Sequence, residues 1–167
     1  MTWHIFFNFL AQTNILWATF LATIILTISF GLTMYIWDFG IIDEMYKPDQ
    51  IIAHIDALTP VQRKAHAWMT GTLDVVYPFA YGSFFIGMAK RHFIKHGNWL
   101  AIPSVLVIPF DLFEGLTQII LLNGNYSVVG LKQIFTPVKL GLFSIGLAIA
   151  LAAIIITIYR FISGRKT

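Results

Sequence analysis

Residues 140–159 read LGLFSIGLAIALAAIIITIY, twenty positions in succession without Asp, Glu, Lys or Arg. At about 1.5 Å of rise per residue, this run alone reaches across the ~30 Å hydrocarbon core of a bilayer. The same pattern recurs toward the N-terminus. Residues 1–37 carry no acid, Lys or Arg; 65–89 carry only Asp74; 97–131 carry only Asp111 and Glu114. We read four transmembrane helices at 15–37, 67–89, 99–122 and 137–160. The expected fold is all-α, a four-helix transmembrane bundle forming one integral membrane domain over 1–167.

Composition agrees. The chain is 57% hydrophobic and 11% charged, against roughly 25% charged in an average soluble domain. The first apolar segment lacks a positively charged lead and a short core with a small-residue cleavage site, so it reads as a retained helix rather than a signal peptide. Cysteine is absent, which removes thiol chemistry and Cys-ligated metals. A pI near 9.3 invites a nucleic-acid reading. The basic residues instead cluster at segment ends, where membrane proteins place them, so no nucleic acid is expected.

Trp17, Trp37, Trp68 and Trp99 fall at expected helix ends, and Trp3 lies in a short aromatic N-terminal segment, as for an interfacial belt. Thr59-Pro60-Val61-Gln62 reads as an N-cap, an N1 proline and a capping-box Gln. Thr136-Pro137 suggests the same opening for the last helix. Lys90, Arg91, Lys95, Arg160, Arg165 and Lys166 lie on one side, in a short loop and a tail where the positive-inside rule acts most strongly. Lys47, Arg63, Lys64, Lys132 and Lys139 lie on the other. This arrangement points to a bacterial inner membrane with both termini cytoplasmic. In the first outer loop, Ile51, Ile52, Ile55 and Leu58 follow helical spacing, so a short outer amphipathic helix is expected.

Thr19, Thr23, Thr27 and Gly31 form one small, weakly polar stripe, and Gly141, Ser144, Ala148 and Ala152 form another. Such stripes let membrane helices approach one another or a partner subunit. Pro78 sits at the middle of the second helix; Pro103 and Pro109 lie in the third, where kinks are expected.

The three acids are the chief functional signal, because an ionisable side chain in hydrocarbon is costly. Asp111 falls at the centre of the third helix, Glu114 roughly 5 Å farther out, and Asp74 at a similar depth on the second helix. Ser104, Asp111, Glu114 and Gln118 share one helix face; Thr70, Asp74, Tyr77 and Tyr81 share another. These faces form a polar seam in which Asp74 and Glu114 oppose each other and Asp74 is within reach of both tyrosines. Lys139 is the candidate counter-charge. Two carboxyls in one low-dielectric site cannot both ionise cheaply, which suits acid catalysis or proton carriage. Protonated acids bonded to Tyr, Thr and Gln can equally act as interhelical glue.

His4, His54, His66, His92 and His96 all lie outside the expected spans, so nothing offers a mid-membrane axial pair to a haem. No metal or other cofactor is expected, and no GxGxxG, Walker, GxSxG or HExxH motif occurs.

Arg63, the run Asp74-Val75-Val76-Tyr77-Pro78-Phe79-Ala80-Tyr81-Gly82 and the later Pro109-Phe110-Asp111-Leu112-Phe113-Glu114 resemble elements of a group of small bacterial four-helix membrane proteins. The resemblance covers under half the chain, and Gly115 stands where that group leads one to expect Asn. The group carries no assigned activity, so the resemblance implies a shared seam and no function.

The expected function is a small integral membrane subunit or a protein that binds a lipid-like ligand. One alternative is a proton- or cation-coupled carrier. The other is a membrane enzyme using Asp74 or Glu114 as acid or base on an apolar substrate. Expected partners are membrane lipids, with a partner subunit or a second copy of the chain; no catalytic residue is assigned.

Overall fold

The computed structural model describes residues 3–164, and over these all the regular structure is helical, without strands. The side chain of Trp3, with Arg165 and Lys166, lies outside the described part. The helices are α1 (Trp3–Leu10), α2 (Thr13–Trp37), α3 (Pro48–Ala57), α4 (Pro60–His92), α5 (Gly97–Leu100), α6 (Ile102–Leu122) and α7 (Val129–Ile162), with a 3-10 turn at Tyr126–Val128 before the last. Three stretches are long and apolar enough to cross a membrane: α2, α5 with α6, and the turn with α7. The 33-residue α4 has the length, but its basic ends make it less apolar, and it supplies much of the interior.

Local sequence sets several boundaries. Thr59 caps α4 and, with Gln62, closes a capping box, and Pro60 takes the first turn where no N–H is needed. Asp38 ends α2 in the left-handed conformation, with its N–H bonded to the Met34 carbonyl. Two expectations are corrected. The last helix begins at Val129, so Thr136-Pro137 lies inside it rather than opening it. Pro103 occupies the first turn of α6 and displaces no ladder hydrogen bond there; Pro109 is that helix's internal proline.

Packing falls into three apolar clusters. At the α3 end, Ile51 and Ile55 bury against Phe39, Ile42, Met69, Leu121 and Leu122, so the amphipathic helix covers that end of the molecule. The middle cluster joins Leu16, Tyr81, Phe85, Val107, Ala150 and Ala153. At the opposite end, Phe7 and Leu10 pack on Ile86, Ala89 and Ala101. There Arg91 reaches Thr13 at 2.8 Å and Thr157 reaches His92 at 3.3 Å. The start of α2, the end of α4 and the last turns of α7 therefore share one end.

Outward faces are apolar. Leu21, Ile25, Ile28 and Leu32 of α2 and Ile145, Leu151, Ile155 and Ile158 of α7 are exposed, as are Trp17, Trp37, Trp68 and Trp99. Of the two small-residue stripes, the α2 stripe touches α4 through Thr27, whose hydroxyl lies 3.1 Å from that of Tyr77. On α7 the inward positions are Lys132, Thr136, Lys139, Gly146, Ala150 and Ala153, while Gly141, Ser144 and Ala148 face out. Gly146 is required by close approach: a Cβ there would stand 2.7 Å from Ser104 Oγ and 2.9 Å from Phe85.

Candidate functional site

The inward face of α7 carries Lys132, Thr136 and Lys139 at helical spacing, and α6 presents Asp111, Glu114 and Gln118 opposite them. Their side chains form a connected network. Lys132, with no exposed surface, donates to Glu114 Oε1 at 2.8 Å, to the Ile42 carbonyl at 2.8 Å and to Gln118 Oε1 at 3.2 Å. Thr136 also donates to Glu114 Oε1, and Lys139 pairs with Glu114 Oε2 and, at 3.2 Å, with Asp111 Oδ1. Tyr81 reaches Asp111 Oδ2 from α4 at 2.7 Å. Two ammonium groups thus hold two carboxylates in an interior where either charge alone would be costly.

The Gln118 amide extends the network to α4. Lys132 can only donate, so it fixes Oε1 of Gln118, and the Gln118 Nε2 group must donate. It does so to His66 Nε2 at 3.0 Å and to Thr70 Oγ1 at 3.1 Å. That assignment places the His66 proton on Nδ1, which is enclosed without a hydrogen-bond partner. The ring stacks on Phe39, with centroids 4.7 Å apart.

The loop after α2 completes the site. Its Ile42 carbonyl takes the Lys132 bond, and its Asp43 turns inward, with Oδ1 enclosed and unbonded. Burial works against ionisation of Asp43, but the nearby Lys139 and Lys132 outweigh it and hold the carboxyl below its ordinary range.

Asp74 differs from its neighbours. It is 8% exposed, and it has neither a hydrogen bond nor an ion pair among the described residues. The expected links to Tyr77, Tyr81 and Glu114 are not formed: Tyr77 pairs with Thr27, Tyr81 with Asp111, and Glu114 turns to α7. Pro78 also lacks the N–H that would otherwise bond Asp74's own carbonyl. The Asp74 carboxyl instead borders two spaces.

The larger space is a cavity of about 510 Å³ bounded by α2, the loop, α4, α6 and α7. Its walls combine the ionisable Asp43, Glu44, Asp74, Asp111 and Lys139 with Phe30, Gly31, Met34, Leu140 and Phe143. The smaller, about 100 Å³, lies between α4 and α6, with Asp74, Asp111 and Gly115 among its walls. A Cβ on Gly115 would stand 3.4 Å from Asp74 Oδ2, so the glycine keeps that flank of the carboxyl open.

Among the sequence candidates, Asp111, Glu114, Gln118, Thr70, Tyr81 and Lys139 therefore meet in one network, Tyr77 stands in the cavity wall, and Asp74 is left free in the cavity. Lys132, Thr136, His66 and Asp43 are site residues that sequence reasoning missed. Comparison with known protein families, curated proteins and solved structures finds no match for the chain.

Proposed function

We propose that this chain is an integral membrane protein that holds an amphiphilic, lipid-like ligand in the cavity between α2, α4 and α7. The observation that carries the reading is a cavity whose lining combines apolar side chains with carboxylates, one of them a buried, unpartnered acid. Its size falls in the ~300–1,000 Å³ range of small-molecule sites. In this reading α4 is the fourth span, shielded by α2, α6 and α7, and the bundle sits in a bacterial inner membrane with its termini cytoplasmic. The Lys132–Glu114–Lys139 network is the scaffold, and the free Asp74 is the ligand's polar contact.

Mild-detergent purification of the full chain, followed by mass spectrometry of retained small molecules, tests this directly. A stoichiometric amphiphile should accompany the wild type and be lost from Gly31→Leu. Gly31 lines the cavity and has open space where its Cβ would be, so leucine would occupy the ligand's volume. A bare protein, or equal retention in the variant, overturns the reading. A stoichiometric protein partner would instead favour a subunit role, for which the outward Gly141, Ser144 and Ala148 offer a small-residue face.

A cation-coupled carrier is the second reading. It is favoured by Asp74 and Asp111 lining both spaces, on either side of the α4–α6 contact. Ion flux in proteoliposomes that vanishes in Asp74→Asn would select it.

A further inference from the structure

We infer that the ligand's polar end is a cationic nitrogen, an alkylammonium or amine, seated against Asp74; this rests on the amphiphile reading above. Charge bookkeeping gives the first argument. Asp43, Asp74, Asp111 and Glu114 converge on Lys132 and Lys139, so the fully ionised site carries two negative charges in excess. Both lysines are already spent on Asp111, Glu114 and the Ile42 carbonyl. Glu44 adds a further carboxylate to the lining. An anionic head would meet this field unfavourably, a neutral one would leave the Asp74 carboxyl to neutralise by keeping a proton, and only a cationic one supplies the charge that this excess of carboxylates lacks.

Asp74 itself gives the second argument. It is more than nine-tenths buried, borders the cavity, and has no donor among the described residues. Its oxygens keep contact with open space, unlike the enclosed Asp43 Oδ1. Gly115 clears one flank of the carboxyl.

The third argument is the wall beside it. Phe30, Tyr77, Tyr81 and Phe143 run in sequence around the cavity, with successive ring centroids 5.3, 5.1 and 5.0 Å apart. Aromatic rings next to a carboxylate are the surroundings that attract organic ammonium groups. A hard metal cation, by contrast, wants six or more oxygen ligands, and no group of three metal-ligating acids or histidines occurs among the described residues. The volume also far exceeds what an ion needs.

The test uses the full chain in a neutral maltoside detergent and three probes with one tail: dodecyltrimethylammonium, dodecanol and laurate. Native mass spectrometry counts bound probe across a concentration series. The ammonium should bind the wild type about tenfold or more tightly than either other probe, the discrimination expected of one buried charge contact. Asp74→Asn should bring the ammonium down to the level of dodecanol and leave dodecanol unchanged. Equal binding of the three probes, or ammonium binding untouched by Asp74→Asn, overturns the cationic head while leaving the amphiphile site standing. Failure of all three to bind the wild type overturns the site itself. The wild-type ranking decides the question even if the variant does not fold.

Discussion

Replacing Lys132 with methionine keeps the stem of the side chain and removes only its ammonium group. Three acceptors then lose their donor at once: Glu114 Oε1, the Ile42 carbonyl and Gln118 Oε1, at 2.8, 2.8 and 3.2 Å. Breaking one side of a buried ion pair costs about 3–5 kcal/mol, because the surviving charge is stranded. Glu114 still has Lys139 and Thr136, which places the expected loss near the lower end, ~3 kcal/mol. At roughly 2–4 °C per kcal/mol for a chain of this length, Tm in detergent should fall by about 6–12 °C. Glu114→Gln should be costly for the mirrored reason, since it strands Lys132. The double variant should lose less than the sum of the two, with a coupling of about 1–3 kcal/mol. Strictly additive losses, or a Tm unchanged in Lys132→Met, would refute the assignment of these residues to one charge network.

Gly87→Ala should destabilise by about 1–3 kcal/mol, seen as a lower Tm, because a Cβ there collides with the Leu10 backbone carbonyl and meets Leu16 at 2.7 Å. Tyr81→Phe should cost about 1.5–3 kcal/mol of stability by removing the donor from Asp111, whereas Tyr77→Phe, which loses only a contact with Thr27, should stay below ~1 kcal/mol; thermal melts of the pair check the contrast. Asp43→Asn should lower stability at neutral pH. Because the folded state holds this carboxyl below its ordinary value, its contribution is present above the unfolded pKa and is lost as pH falls through the lowered one. The Tm difference between wild type and Asp43→Asn should therefore be largest near neutrality and shrink in acid. Asp74→Asn should leave Tm unchanged or raise it, since no hydrogen bond or ion pair is lost and a buried ionisable group is replaced by a neutral one of the same shape.

Much of the helical layout was legible because long apolar runs of this kind leave the backbone few ways other than a helix to satisfy its hydrogen bonds. Charge-free runs marked α2 and the body of α7, an apolar run with only two acids marked α6, and the Thr59–Gln62 capping box marked the start of α4. The site was legible on α4 and α6, where isolated acids stand out against apolar neighbours. It was not legible on α7. Thr136-Pro137 looks like a helix opening, which put Lys132 in a loop, yet the helix runs through Pro137 and carries Lys132 and Lys139 seven residues apart on one face. The signal that would have found Lys132 is the inward series 132, 136, 139, 146, 150 and 153, which starts before the proline. Asp43 and His66 were missed for another reason. Their place depends on how the loop after α2 folds back over α4, a contact between segments that no local pattern encodes.

The division of labour within the site bears on whether these acids are glue or function. Packing glue should be satisfied throughout, because an unsatisfied buried polar group works against the fold it is meant to hold. Glu114 meets that description, held by Thr136, Lys132 and Lys139; Asp111 comes close to it, with Tyr81 donating to one oxygen and the Lys139 ammonium paired in charge with the other. Asp74 does not, although Tyr77 lies one turn along the same helix and bonds Thr27 instead. The strong contacts also tie α6 to α7 and the loop, while α2, apart from Thr13 with Arg91 at the far end, meets α4 through neutral groups: Thr27 with Tyr77, Phe30 with Tyr77 and Phe20 with Phe84. A ligand entering beside α2 would therefore reach Asp74 without breaking a single ion pair. A variant pair separates the roles: loss of stability belongs with Glu114→Gln, and loss of ligand with Asp74→Asn. If Asp74→Asn instead melted several degrees lower and retained its ligand, Asp74 would belong to the packing and the cavity would have to select its occupant by shape alone.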